Sequence, residues 1–214
     1  MHFPTMQDTV VTRLRTQILR GALKPGQRII ERVVSGELGI SKTPVREALT
    51  HLEAEGWVTI TPHKGAIVTA MSTTELKEIY LVRIQLEGLA ARLAAERIND
   101  STIHALRELV SRMAPQGPSE IEEFMDLNTE FHKIFYEDSG HTILCEILDN
   151  LQNRSLRYRW AHLDLAESRT RMLTQRRLLL DLLARKASAV EVQKLIEDNL
   201  IQNCKTLEQR MQLS

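Results

Sequence analysis

Seven polar side chains in the C-terminal part of this chain stand where a leucine would otherwise fit: Arg83, Asn128, His132, Arg154, Arg176, Asn199 and Asn203. Each interrupts an apolar stripe of helical period. Arg83 follows Leu76 and Ile79 and precedes Leu86, Ala90 and Leu93. Asn128 and His132, one turn apart, lie between Ile121, Met125 and Phe135. Arg154 falls among Leu144, Ile147, Leu151 and Tyr158, Arg176 among Met172, Leu179 and Leu183, and Asn199 and Asn203 among Val192, Leu195, Ile196 and Leu207. Polar groups taken into a core are costly unless paired, and convergent ones are the usual mark of a ligand pocket. The set holds guanidiniums, an imidazole and amides but no carboxylate, so its natural complement is an anion held by bidentate arginine hydrogen bonds. A second group of donors lies near the N-terminus. Lys42, Thr43, Arg46 and Thr50 point away from the apolar stripe Val45, Ala48, Leu49, Leu52. They gather at the start of a helix, where free N–H groups and the dipole favour phosphate, and Lys, Arg and Thr can read base edges.

The elements that position this second group are short and turn-rich. Val10, Val11, Leu14, Ile18 and Leu19 recur at helical spacing until Lys24-Pro25-Gly26 breaks the chain. A short helix over Glu31–Leu38 ends at Gly39, and Ser41 is a natural N-cap for the next one. Pro44 falls in its first turn, where a missing N–H is tolerated. Trp57–Thr61 reads as a strand, Pro62-His63-Lys64-Gly65 as a turn with His63 and Lys64 at the tip, and Ala66–Ala70 as the returning strand. Two helices around a glycine turn, followed by a two-stranded hairpin, predict a winged helix-turn-helix.

The first group needs a different scaffold. From Ser72 onward the periodicity predicts six helices and no strand, over about 74–98, 101–114, 120–138, 142–165, 167–186 and 189–211. Ser119 with Glu122 and Ser188 with Glu191 have capping-box spacing. The expected fold is mainly α: a winged helix-turn-helix over 1–71 and an all-helical bundle over 72–214.

Charge follows the same division. The whole chain of 214 residues balances 28 Lys+Arg against 28 Asp+Glu. Residues 1–71 carry 9 basic and 6 acidic residues, a net of +3, and residues 72–214 carry 19 and 22, a net of −3. Neutrality is a cancellation and does not exclude nucleic acid. Cys145 and Cys204 are far apart and form no zinc motif, which fits free thiols in a reducing cytoplasm. No window reaches the roughly 18 apolar residues of a membrane span, and the N-terminus has no signal-peptide pattern. A cytoplasmic location and no membrane partner are expected.

The run from Arg28 to Val68, with GISKTPVREALTHLEAEGWVTITPHKGAIV, resembles the DNA-binding domain of GntR-family bacterial transcription regulators. By that resemblance Arg32, Ser41, Lys42, Thr43 and Arg46 match positions that contact DNA, with His63 and Lys64 on the wing. Gly36 departs from the pattern, inside the second helix, where an alanine-like residue is more usual. The segments EIYLVRIQLEGLAARLAAER (78–97) and NTEFHKIFYEDSGH (128–141), with a weaker tail over 170–200, resemble the ligand-sensing domain of the FadR-like (FCD) branch. Six bundle helices resemble its shorter, VanR-type variant. The resemblance implies a homodimer on a palindromic double-stranded DNA operator, usually a repressor released by an effector.

It also implies a divalent metal, held by an Asp or Asn, a His one turn later, and two histidines on the last two helices. Asn128 and His132 match the first two, but Arg176 and Asn199 stand at the others. Arginine has no lone pair to give a metal, and one imidazole with two amides is a poor donor set. His104, His141 and His162 do not fall at the missing positions. The expectation is therefore no cofactor: a degenerate metal site in which Arg176 supplies the positive charge and binds the carboxylate or phosphate of a small anionic metabolite. A metal-dependent regulator is one alternative. A ligand-free dimerisation bundle, with Arg83, Arg154 and Arg176 paired to acids of neighbouring helices, is another. Enzymatic function is disfavoured, because the sequence offers no nucleophile with a positioned base, no glycine-rich phosphate loop and no inward carboxylate.

Overall fold

The computed structural model describes residues 5–61, 65–113, 121–160 and 166–213. The chain divides into two compact units, 1–72 and 73–214.

In the first unit α1 (Met6–Leu19) starts with a capping box, Thr5 accepting from the Asp8 N–H while Asp8 accepts from the Thr5 N–H. It buries Val10, Val11 and Leu14 against α3 (Lys42–Ala54), which presents Val45, Ala48, Leu49 and Leu52. Arg15 Nη2 reaches Glu55 Oε2 at 2.6 Å and helps to tie the two helices together. Between them α2 (Glu31–Leu38) ends at Gly39, whose φ of 65° is the left-handed conformation that lets the chain turn at once into α3. The sheet has three strands in the order β1-β3-β2, with β1 (Arg28–Ile29), β2 (Val58–Thr61) and β3 (Gly65–Val68). Arg28 and Ile29 pair antiparallel with Ile67 and Ala66. Here the sequence reading falls one strand short, because two residues are too few to display a period of two. The wing itself is β2 paired antiparallel with β3, Val58 opposite Val68 and Thr61 opposite Gly65. Alternation puts Ala66 and Val68 into the core beside Trp57 and Val58.

The second unit is six helices among the described residues: α4 (Thr73–Ala95), α5 (Asp100–Arg112), α6 (Ile121–Glu137), α7 (Thr142–Trp160), α8 (Ala166–Ala184) and α9 (Ala189–Leu213). Packing is most extensive between α4 and α9, and α4 also packs on α7 and α6. Small residues on α4 allow the close approach to α9: a Cβ at Gly88 would lie 2.8 Å from Glu197 Cγ. Asn99 caps α5 by accepting from the Thr102 N–H at 3.0 Å. Ser188 and Glu191 exchange the two bonds of a capping box at the start of α9. Ser119 lies outside the described residues. Leu76, Leu106, Phe131, Phe135, Leu148, Tyr158 and Val192 make the centre of the core, and Arg83, Asn128, His132 and Arg176 are buried within this packing.

Candidate functional site

In the first unit the donors gather at the start of α3. Arg32, Ser41, Lys42, Thr43, Arg46 and Thr50 are all exposed, while the opposite stripe of α3 is buried. Ser41 occupies the N-cap with extended backbone, yet its side chain makes no capping bond, so its hydroxyl and the first-turn N–H groups are open to an anion. Arg46 Nε donates to Glu31 Oε2 at 2.8 Å, and its side chain is 67% exposed. This surface pair orients the guanidinium without taking it from solvent. His63 and Lys64 lie outside the described residues.

In the second unit six of the seven stripe residues come together. Arg176 on α8 is the pivot. Its Nε and Nη2 donate to Asn128 Oδ1 on α6, at 3.3 and 3.0 Å, and its Nη2 meets His132 Nε2 at 2.5 Å. A guanidinium can only donate, so His132 Nε2 accepts and the ring proton sits on Nδ1. Nδ1 lies 4.0 Å from Glu87 Oε2. Burial, followed by the charges of Arg176, Arg159 and Arg83, holds the imidazole well below its ordinary pKa, so His132 is neutral. Arg176 stacks over Phe131 at 5.0 Å and has no carboxylate within ion-pair distance among the described residues. Burial lowers its pKa too.

Arg83 is fully interior but already engaged. Its Nε donates to Glu87 Oε1 at 2.6 Å and its Nη1 to Ser155 Oγ at 3.0 Å. Tyr136 Oη donates to the other Glu87 oxygen at 2.8 Å. Glu87, 0% exposed, overturns the expectation that no carboxylate points inward. It neutralises Arg83 one turn away on the same helix, while burial and the neighbouring carboxylate raise the Tyr136 pKa and keep the phenol protonated.

Arg154 is a correction. It is exposed on α7 and pairs with Glu75 at 3.2 Å; the buried Arg157 also pairs with Glu75 and reaches Tyr158 Oη. The buried stripe of α7 runs through Leu148, Gln152, Ser155 and Tyr158 and leaves Ile147 at the surface. Reading α7 by its leucines and isoleucines sets the stripe one position off. The α7 residue that enters the pocket is Arg159. Among the described residues its Nη2 donates only to the Gln152 carbonyl at 3.3 Å, and its Nε is buried without a partner. Burial, then the Arg83 charge, pushes its pKa down to about 10, still charged at neutral pH.

These groups enclose a cavity of about 30 Å³ lined by Arg83, Glu87, His132, Arg159, Arg176 and Asn199, with Tyr80, Tyr136, Gln175 and Asn203 among the rest. Asn128 stands behind Arg176 and holds it. Asn199 Nδ2 is buried with no partner among the described residues and adds a donor. Glu87, Tyr136 and Arg159 escaped the stripe pattern. Glu87 and Tyr136 each lie four residues after a stripe residue, Arg83 and His132, which is the one signal that points to them.

The family's metal does not fit these residues. Asn128 Oδ1 and His132 Nε2, the two ligand atoms that match, both accept from Arg176. Among the described residues no three of His, Cys, Asp and Glu cluster to hold an ion.

Comparison with known proteins gives a consistent picture. Residues 6–68 match bacterial regulatory proteins, gntR family, and residues 78–197 match the FCD domain. The HTH-type transcriptional regulator McbR of Escherichia coli (strain K12) is 33% identical over 160 residues, covering 73% of this chain and 72% of McbR. The Nta operon transcriptional regulator of Aminobacter aminovorans is 33% identical over 137 residues, 64% of this chain and 65% of that protein. The solved structure of E. coli McbR/YncC has a TM-score of 0.77 at 28% identity and covers 98% of this chain and 100% of that one.

Proposed function

We infer, for a chain that belongs to the GntR family of bacterial regulatory proteins and carries an FCD domain, that its DNA affinity is controlled by a small anionic metabolite in the helical bundle. The chain is a DNA-binding transcription regulator and not an enzyme, as its family and relatives are. The finer reading is a cytoplasmic homodimer that represses from a palindromic operator, since a two-fold protein suits a two-fold site. Residues 1–71 read DNA through Arg32, Ser41, Lys42, Thr43 and Arg46, with His63 and Lys64 on the wing. Residues 72–214 bind the effector and dimerise. The effector binds one state of the dimer more tightly than the other, and linkage requires operator DNA to change effector affinity by the same factor.

One observation carries the reading: Arg176 places its guanidinium on Asn128 Oδ1 and His132 Nε2, the atoms that would otherwise face a metal, and does so beside a cavity. The fixed positive charge of a metal is replaced by that of a side chain. The ligand-free alternative describes Arg154, which pairs with Glu75 of α4, whereas Arg83 pairs with Glu87 on its own helix. It does not describe Arg176 or Arg159, which have no carboxylate partner among the described residues.

The test starts from operator fragments selected from genomic DNA by the full-length protein, followed by gel shifts against a panel of organic acids. Arg176→Ala is expected to bind the operator and to ignore acids that release the wild type. An unaltered dose–response curve in that variant overturns the pocket.

A further inference from the structure

Polar atoms left without partners report what a cavity is built to receive. Three belong to residues that line the Arg176 pocket: Arg159 Nε, His132 Nδ1 and Asn199 Nδ2, all buried and without a partner among the described residues. All three are donors, because the ring proton of His132 sits on Nδ1 once Nε2 accepts from Arg176. They come from α7, α6 and α9, and Arg176 joins them from α8. A buried donor without an acceptor is costly, and three helices carry that cost around one cavity.

Glu87 is the one carboxylate among the lining residues, and both its oxygens are engaged. Arg83 Nε donates to Oε1 at 2.6 Å and Tyr136 Oη to Oε2 at 2.8 Å. Oε2 lies 4.0 Å from His132 Nδ1, beyond hydrogen-bond reach. Against this single negative charge stand the guanidiniums of Arg83, Arg159 and Arg176, with His132 neutral. Gln175, Asn199 and Asn203 offer amide oxygens, which carry no charge to balance a cation. A water needs about 10–15 Å³, so a cavity of about 30 Å³ takes a carboxylate and the atom next to it. An ammonium on that adjacent carbon would lose its water among three guanidiniums and find no free carboxylate.

We propose that the pocket selects organic acids that carry no ammonium group. Arg159 and Arg176 meet the carboxylate, and His132 and Asn199 donate to the oxygens around it. Glu87, closed off by Arg83 and Tyr136, offers an amino acid nothing to pair with. This rests on the bundle being the effector pocket. An amino acid and the matching 2-oxo acid share a carboxylate and nearly a size, so shape does not separate them. Charge and donor balance do: a site of unpaired donors rejects a ligand that brings only more donors.

The experiment is calorimetric titration of full-length protein at neutral pH with matched mono- and dicarboxylic acids of three to six carbons. Each unsubstituted acid is compared with its 2-oxo and its 2-amino derivative. We expect at least one acid without nitrogen to bind, and to bind tenfold or more tightly than its 2-amino counterpart. Tyr136→Phe, in protein that still unfolds cooperatively, takes the hydroxyl from Glu87 Oε2 and is expected to shrink that preference to less than threefold. Arg159→Gln is expected to weaken the bound acid at least tenfold. Equal or tighter binding of the 2-amino acids by the wild type overturns the selection while leaving the pocket in place. A preference undiminished in Tyr136→Phe overturns the role of Glu87, and undiminished affinity in Arg159→Gln overturns that of Arg159. Binding of no acid at all removes the pocket reading and this proposal together.

Discussion

Arg46 and Arg176 are the two guanidiniums to which the proposed function assigns an anion, and the protein keeps them in opposite surroundings. Arg46 is 67% exposed at the start of α3 and leans on a surface carboxylate, Glu31. Arg176 is 7% exposed, held by an amide and an imidazole, with no carboxylate of its own among the described residues. Water screens the first, so its neighbours matter little. The second sits where charge must be balanced by something, so its neighbours specify what that something is.

The largest effect that sharpens this contrast comes from removing a buried carboxylate. Glu87→Gln leaves Arg83 without its counter-charge and is expected to cost about 3–5 kcal/mol in urea unfolding. The equivalent change at the surface, Glu31→Gln, is expected to cost no more than about 1 kcal/mol. Similar losses in the two variants would erase the distinction between the regions. Next, Arg46→Ala is expected to lower specific operator affinity by about 1–3 kcal/mol, as for an arginine reading a guanine. The check is a gel shift at fixed salt, and unchanged affinity contradicts that role. Arg154→Ala, on the exposed face of α7, is expected to leave the effector dose–response curve within twofold of wild type. A large shift there would move the pocket to the other side of α7. The smallest effect belongs to Gly36→Ala. A Cβ there meets nothing within 4 Å, so thermal unfolding should show a gain of about 1 kcal/mol with unchanged operator affinity.

How legible each region was in the sequence follows from the same contrast. The stripe of α3, the turn at Gly39 and the outward set from Lys42 to Thr50 are local patterns, and local patterns are what periodicity reports. The strand Arg28–Ile29 exists only by pairing with β3, and no local signal announces it. In the bundle, Asn128, His132 and Arg176 were visible because apolar neighbours flank them at helical spacing. Glu87 was visible only as the i+4 pair partner of Arg83 and Arg159 not at all, because the rule that charges face outward holds until a partner across the bundle makes the inside tolerable. For Glu87 that partner set is Arg83 and Tyr136, the latter 49 residues away in the chain. Arg154 went wrong for the complementary reason. The buried stripe of α7 contains Gln152 and Ser155, so a stripe drawn through the exposed Ile147 runs one position off.

The central claim is that Arg176, and not a bound metal, meets the effector's anion. The most direct measurement is operator release by an organic acid that binds the protein, followed with full-length wild type and Arg176→Ala, each with and without EDTA. The account predicts a wild-type response that EDTA leaves unchanged and that Arg176→Ala abolishes. A response lost in EDTA, restored by zinc or nickel and retained in Arg176→Ala, would contradict it.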